Sequence, residues 1–182
     1  MLKEENKLIK ACLKGDRKAQ EALYQQFAPG MFVICKRYTR AQLEAEDILQ
    51  ESFIKVFKDL QQFKQQSSLY YWIKRIVINT ALNHQRSKLY LYPMVDVTDL
   101  KESSNEHLKL NEHSMDDLLK MIQDLPQSSQ VIFNLYAIEG YKHREIAEML
   151  DISEGTSKSQ YARAKELLQK KLQETKKNYG RG

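Results

Sequence analysis

Apolar residues recur three or four positions apart through almost the whole chain, and the longest lapse in the pattern falls between residues 89 and 113. That period belongs to amphipathic helices. Turn material agrees, since six Gly and three Pro in 182 residues are too few for a β-rich chain. The pattern therefore predicts an all-α fold. Residues 89–113 hold Pro93 among scattered Asp, Glu, Asn and Ser, and 25 residues without periodicity exceed an ordinary intradomain connection. Two small helical domains, 1–88 and 114–182, are expected, joined by a flexible linker over 89–113, with some helix near Leu108 and Leu110.

Local signals place the helix ends. Gly15 suits the left-handed position after a first helix through Leu8, Ile9, Cys12 and Leu13, and Asp16 can cap the next. Pro29-Gly30 is expected to break that second helix after Phe27, leaving a third with Met31, Ile34, Cys35 and Tyr38. A fourth spans about residues 43–60. Gln61–Ser68 is polar and aperiodic and reads as a loop, with Ser67 or Ser68 capping a fifth helix that fades near Arg86. Trp72 lies in register with Leu69 and Ile76 and is expected in the core. Beyond the linker, Ser114-Met115-Asp116-Asp117 resembles a capping box. Pro126 should stop the helix that follows, and Glu139-Gly140 the next.

The sharpest pattern lies between His143 and Lys165. Ile146, Ala147 and Leu150 make the inner face of a short helix. Asp151 sits at a turn that wants a left-handed residue, Ile152 plugs the corner, and Ser153 can cap the next helix. There Tyr161, Ala164 and Leu168 face inward, while Lys158, Ser159, Ala162 and Arg163 face out. This is a helix-turn-helix: short polar and cationic side chains enter the major groove, and cations further along meet phosphates. Lys165, Lys170, Lys171, Lys176 and Lys177 supply those.

Charge distribution supports a polyanionic partner. The net charge is +5 overall, but +7 over residues 1–88, −3 over 89–113, −4 over 114–153 and +5 over 154–182. Cys12 and Cys35 fall in no metal-ligand spacing, nor do His84, His107, His113 and His143. Reduced thiols in a cytoplasmic protein are the plain reading. No phosphate loop or nucleophile elbow is visible, so neither an enzyme nor a bound cofactor or metal is expected. The N-terminal residues lack the apolar core of a signal peptide, and no apolar run is long enough to span a membrane.

Two blocks together resemble the extracytoplasmic-function group of RNA polymerase sigma factors. The first runs from Leu13-Lys14-Gly15-Asp16 through Ala45-Glu46-Asp47-Ile48-Leu49-Gln50-Glu51-Ser52-Phe53 to Trp72-Ile73, Asn79-Thr80-Ala81 and Arg86; the second is residues 114–175. The resemblance implies a transcription initiation factor that binds core polymerase, recognises the −10 and −35 promoter elements and helps open the duplex. It implies that Glu46, Asp47, Gln50, Glu51 and Ile54 dock on the clamp helices of the largest polymerase subunit. An acidic helix face suits a basic partner on physical grounds as well. By the same resemblance the −10 element meets Phe63, Lys64, Gln65, Gln66, Ser67, Ser68, Tyr71, Arg75, Asn79 and Arg86. Residues 64–88 carry five Lys or Arg and no acid, and Tyr71, Arg75, Asn79, Leu82 and Arg86 fall on one face, which can combine stacking with phosphate neutralisation. The −35 element meets Thr156, Lys158, Ser159, Ala162 and Arg163. The expected partners are core polymerase, promoter DNA and an anti-sigma factor, in some cases a membrane-bound one.

The chain departs from the family at Gln20 and Leu69, where Phe is frequent, at Asp151, where Gly is commoner, and at Ser157, where Val or Ile is usual and whose loss should cost about 1–2 kcal/mol of packing. Two other readings stay open on the residues alone. One is a helix-turn-helix regulator that binds duplex without polymerase. The other is a metal-dependent nuclease built on Glu46 and Asp47.

Overall fold

The structure, a computed structural model, describes residues 2–91 and 115–179, with side chains over residues 4–85 and 117–174. The described residues form eight α-helices and no strand. They divide into two units, Met1–Arg86 and Ser87–Gly182. Positions 92–114 lie outside the described residues, as do the proposed cap Ser114 and the side chains of Arg86, Lys176 and Lys177.

In the first unit, α1 (Leu2–Leu13) ends as its sequence requires. Gly15 takes φ +79°, its N–H bonds Cys12 C=O at 3.0 Å, and Asp16 N–H bonds Ala11 C=O at 3.2 Å. Asp16 Oδ1 then accepts from the N–H groups of Lys18 and Ala19 at 2.9 and 3.3 Å, capping α2 (Arg17–Tyr38). Helix α2 runs straight through Pro29 and Gly30, against the expected break. The physical reason is register. Leu23, Phe27, Met31, Ile34 and Tyr38 form one buried stripe on both sides of Pro29, while Pro29 and Gly30 face solvent. The stripe's burial outweighs the roughly 3 kcal/mol that an interior Pro costs.

Helix α3 (Gln42–Asp59) buries Ala45, Ile48, Leu49, Phe53 and Val56 against α2, and a short 3-10 turn, Leu60–Gln62, opens the segment read as all loop. Helix α4 (Leu69–Leu91) starts on two caps: Ser68 Oγ accepts from Tyr71 N–H at 3.4 Å, and the Glu5 carboxylate of α1 accepts from Leu69 N–H at 3.1 Å. It continues to Leu91, beyond the expected end near Arg86. Leu69, Ile73, Val77, Ala81 and Leu82 are buried, and Gln85 donates to Tyr38 C=O at 2.6 Å. Burial pushes the Cys35 thiol up to about 12, which leaves it unreactive.

The second unit begins with α5 (Met115–Gln123). Next come α6 (Gln127–Phe133), extended by a π turn over Asn134–Ile138, then α7 (His143–Leu150) and α8 (Glu154–Tyr179). Gly140 at φ +81° ends the π turn, as Glu139-Gly140 predicted. Leu125, Phe133, Ala164 and Leu168 form a core cluster, joined by Met121, Ile122, Tyr161 and Leu167. Ala164 is fully buried, and its small side chain lets α8 lie close to its neighbours.

Candidate nucleic-acid interface

The turn between α7 and α8 has the predicted geometry. Asp151 takes φ 55° and ψ 52°, and Ile152 N–H bonds Ala147 C=O at 3.1 Å. Ser153 Oγ accepts from Thr156 N–H at 2.9 Å, capping α8. At the other end of α7, the Glu145 carboxylate accepts from Lys142 N–H at 2.7 Å. Ile146 is buried, and Ala147 and Leu150 are half-buried beside it.

On α8, Lys158 and Arg163 are exposed, and Ser159 and Ala162 half-exposed. They form an outward polar face opposite Ala164 and Leu168. Lys158 Nζ meets the Glu154 carboxylate at 2.7 Å, an exposed pair that holds Glu154 below the usual carboxylate range and can exchange for a phosphate. Thr156 is placed differently from the others. It is buried, and its hydroxyl shares a hydrogen bond of 2.8 Å with Ser153. Further along, Lys171 pairs with Asp124 beyond α5 at 2.6 Å, so this cation also ties α8 to its own unit.

Ser157 is fully buried, and its hydroxyl and His143 Nδ1 share a hydrogen bond of 2.9 Å. A polar bond therefore stands where packing loss was expected. Desolvation, with Lys158 adding to it and Glu154 opposing, holds the His143 imidazole below its ordinary value.

In the first unit, the segment before α4 exposes Lys64, Gln65, Gln66, Ser67 and Ser68. Gln65 adopts φ 56°, an uncommon left-handed conformation for a side chain without a local Asn or Asp function. Ser67 Oγ donates to Ser68 C=O at 3.4 Å, and Ser68 caps α4, so both hydroxyls also serve the turn. Phe63 is half-buried, with its ring centroid 5.3 Å from that of Trp72. Trp72 is half-buried rather than core, because it covers the edge of the unit beneath Phe63. Tyr71, Arg75 and Asn79 are exposed along one face of α4, with Tyr71 62% exposed and Lys74 Nζ 6.0 Å from its ring centroid. Leu82 departs from that face and turns into the core.

Helix α3 carries a second surface. Leu43, Asp47, Gln50 and Ile54 are exposed together at helical spacing, Leu43 and Ile54 at 73% and 68%. Sequence reasoning did not single out Leu43, although its i+4 and i+7 relation to Asp47 and Gln50 was legible. Glu46 is half-buried and accepts from the Gln42 side-chain amide at 2.8 Å. Glu51 looks elsewhere: its carboxylate meets Lys55 at 2.6 Å and hydrogen-bonds His84 of α4. Lys55 foremost, then His84, holds that carboxyl below the usual range. Lys55 in turn donates to Thr80 Oγ1 at 3.2 Å. Among the described residues no group of three His, Cys, Asp or Glu is placed to hold a metal ion. No described helix is long and apolar enough to cross a membrane.

The first unit presents these two surfaces and the second carries a helix-turn-helix, the arrangement of an all-helical protein of the DNA-binding class. Residues 23–89 match the family described as Sigma-70 region 2, and residues 115–168 match Sigma-70, region 4. The chain is 32% identical to the ECF RNA polymerase sigma-E factor of Salmonella typhimurium (strain LT2), over 91% of this chain and 93% of that protein. It is 30% identical to the RNA polymerase sigma-H factor of Pseudomonas aeruginosa, over 93% and 94%. Among solved structures it is similar to the sigma factor RpoE in complex with the anti-sigma factor NepR from Bartonella quintana, at 19% identity and TM-score 0.54, covering 84% of this chain and 96% of that one. It is also similar to CnrH in complex with the cytosolic domain of CnrY, at 18% identity and TM-score 0.50, covering 91% and 95%. The chain belongs to the extracytoplasmic-function group of the sigma-70 family, the promoter-specificity factors of RNA polymerase.

Proposed function

We propose that the two units divide promoter recognition, with residues 1–88 binding core polymerase and opening the −10 element, and residues 114–182 reading the −35 element. The reading rests foremost on one observation: the exposed face of Tyr71, Arg75 and Asn79 on α4, next to the exposed turn of residues 64–68, lies in the unit that also carries the α3 surface. Aromatic and cationic groups on one face suit an unwound strand. Lys64, Gln65 and Gln66 offer hydrogen-bonding groups to an extruded base. On α3, Asp47 and Gln50 between Leu43 and Ile54 suit a partner helix that is basic with apolar edges, as clamp helices would be. Lys158, Ser159, Ala162 and Arg163 face the major groove. The protein acts in the cytoplasm, without catalytic groups of its own, and an anti-sigma factor holds it inactive until induction.

Reconstitution with core polymerase and run-off transcription on genomic DNA tests the assignment. Initiation at a defined promoter set is expected only with both components. Tight shifting of promoter duplex by the pure chain alone would indicate an ordinary regulator, and cleavage of DNA dependent on divalent ions a nuclease. Within the −35 face, Arg163→Ala should cost about 1–3 kcal/mol at the preferred duplex, and Lys170→Ala should weaken all duplexes alike with a smaller salt slope.

A further inference from the structure

The inner face of α8 changes character along its length. From Tyr161 onward it is apolar, through Ala164 and Leu168. Before that it is polar: Thr156, Ser157 and Gln160 are all buried. Thr156 serves the turn. The other two reach different helices. The Ser157 hydroxyl shares its 2.9 Å bond with His143 Nδ1, at the start of α7. Gln160 Oε1 accepts from Ser128 Oγ at 3.1 Å and Ser129 Oγ at 2.8 Å, in the first turn of α6. His143 is itself held by rings. Tyr136 stacks on it at 4.1 Å and 12°, and Tyr161 leans on both from α8, 4.5 Å from Tyr136 and 5.8 Å from His143.

Apolar contact is non-directional, whereas a hydrogen bond weakens steeply once its angle closes. Bonds to two separate helices, from positions three residues apart, therefore restrain both the roll of α8 and its slide. The restraint acts beneath the outward face of Lys158, Ser159, Ala162 and Arg163. A roll of about 15° would move a side-chain tip about 5–6 Å from the helix axis by about 1.5 Å. That is enough to lose a bidentate contact to a base edge. Contacts to phosphates, made by long flexible cations, would survive it.

We propose that His143, Ser157 and Gln160 are positioning residues that fix the pose of α8 on duplex DNA and thereby set its sequence selectivity. The inference rests on the reading of the second unit as a duplex reader through α8. Replacing both partners of such a bond by apolar groups of similar shape is nearly neutral, whereas removing one leaves the other unsatisfied at some cost in stability. A loss of selectivity in a variant that is still folded, with affinity for scrambled duplex intact, therefore separates the positioning role from a purely structural one.

The test uses the full chain bound to core polymerase. Duplexes are selected from a randomised pool with the wild-type protein, and affinity for a selected duplex is compared with that for its scrambled form. Ser157→Val and Gln160→Met are the informative variants, and Ser157→Thr keeps the hydroxyl. The expected result is a modestly lowered melting temperature that leaves Ser157→Val and Gln160→Met folded under the assay conditions, unchanged affinity for the scrambled duplex, and a selected-to-scrambled ratio lowered about tenfold. Ser157→Thr should retain the ratio. A ratio within about twofold of wild type in either folded variant overturns the inference; should one variant melt early, the other decides. Absence of any preference in the wild-type protein would instead overturn the duplex reading itself.

Discussion

Glu51 turns its carboxylate across to His84 of α4, while Asp47, one turn earlier on α3, stands exposed. Two acids that read as one cluster in the sequence thus have different surroundings. Asp47 sits between Leu43 and Ile54 on the face proposed to meet polymerase. Glu51 ties that helix to the one proposed to hold the −10 strand. Asp47→Lys should lower affinity for core polymerase about tenfold, or about 1.4 kcal/mol, with helicity by circular dichroism unchanged. Glu51→Gln should act mainly on folding, by at most about 1 kcal/mol, since the carboxylate is well exposed and solvent screens the pair. Equal losses of affinity, with no change in melting temperature for Glu51→Gln, would show that Glu51 meets the partner directly.

Tyr71 and Arg75 should matter only once the duplex opens. Stacking of a base on an aromatic ring is worth about 1–3 kcal/mol. With core polymerase bound, Tyr71→Ala should weaken capture of a single-stranded −10 probe by that amount, and Arg75→Ala should flatten its salt dependence. Binding of a −35 duplex should stay at the wild-type level for both. A matching loss on the duplex would place these residues outside strand capture.

His143 gives the second unit a pH dependence of defined sign. The groups around it are the Ser157 hydroxyl, the Tyr136 and Tyr161 rings, and the charges of Lys158 and Glu154. Burial and Lys158 disfavour the imidazolium in the folded protein, so the unfolded chain binds the proton more tightly. Stability is then complete above the unfolded value of 6.5 and falls as pH drops from there toward the lower folded value. Urea melts of the second unit's helices, in the full chain, should show a lower midpoint at pH 5.5 than at 7.5. His143→Gln should reduce that difference, and an unchanged difference would assign it to other groups.

What the sequence revealed and what it concealed divide along one line. Signals confined to a few neighbours were legible: Gly15 with Asp16, Ser68 before α4, Asp151 with Ser153. Each follows from one residue's backbone preference or from a hydroxyl or carboxylate within three positions of its donor. The outward faces of α4 and α8 were likewise readable from helical spacing, apart from Leu82 and Thr156. Pairings across distance were not. Nothing in periodicity joins Glu51 to His84, 33 positions on, or Gln160 to Ser129. The π turn at Asn134–Ile138 also escaped, because it alters hydrogen-bond partners without disturbing the apolar pattern. The break expected at Pro29 failed for a related reason, since local propensity was set against a buried stripe that continues on both sides.

That continuity can be tested at Pro29 and Gly30 themselves. Both are exposed within α2, neither carries a described cap or bond to another element, and a Cβ built on Gly30 meets nothing within 4 Å. Gly30 also lacks the positive φ that Gly15 and Gly140 need. Alanine at either position should therefore stabilise the first unit. Gly30→Ala should add about 0.5–1 kcal/mol through the entropy that glycine loses in a helix. Pro29→Ala restores an N–H for the Gln25 carbonyl and removes the ring from its path, for a gain of up to about 3 kcal/mol. With roughly 4–8 °C expected per kcal/mol in a unit of this size, both shifts are resolvable by thermal melts followed through Trp72 fluorescence. Destabilisation by Pro29→Ala would mean that the chain needs a bend there after all, as two helices meeting at Pro29-Gly30 would. Unchanged core polymerase affinity in the stabilised variants is the companion expectation, because α3 packs on the buried stripe of α2 and not on its solvent side.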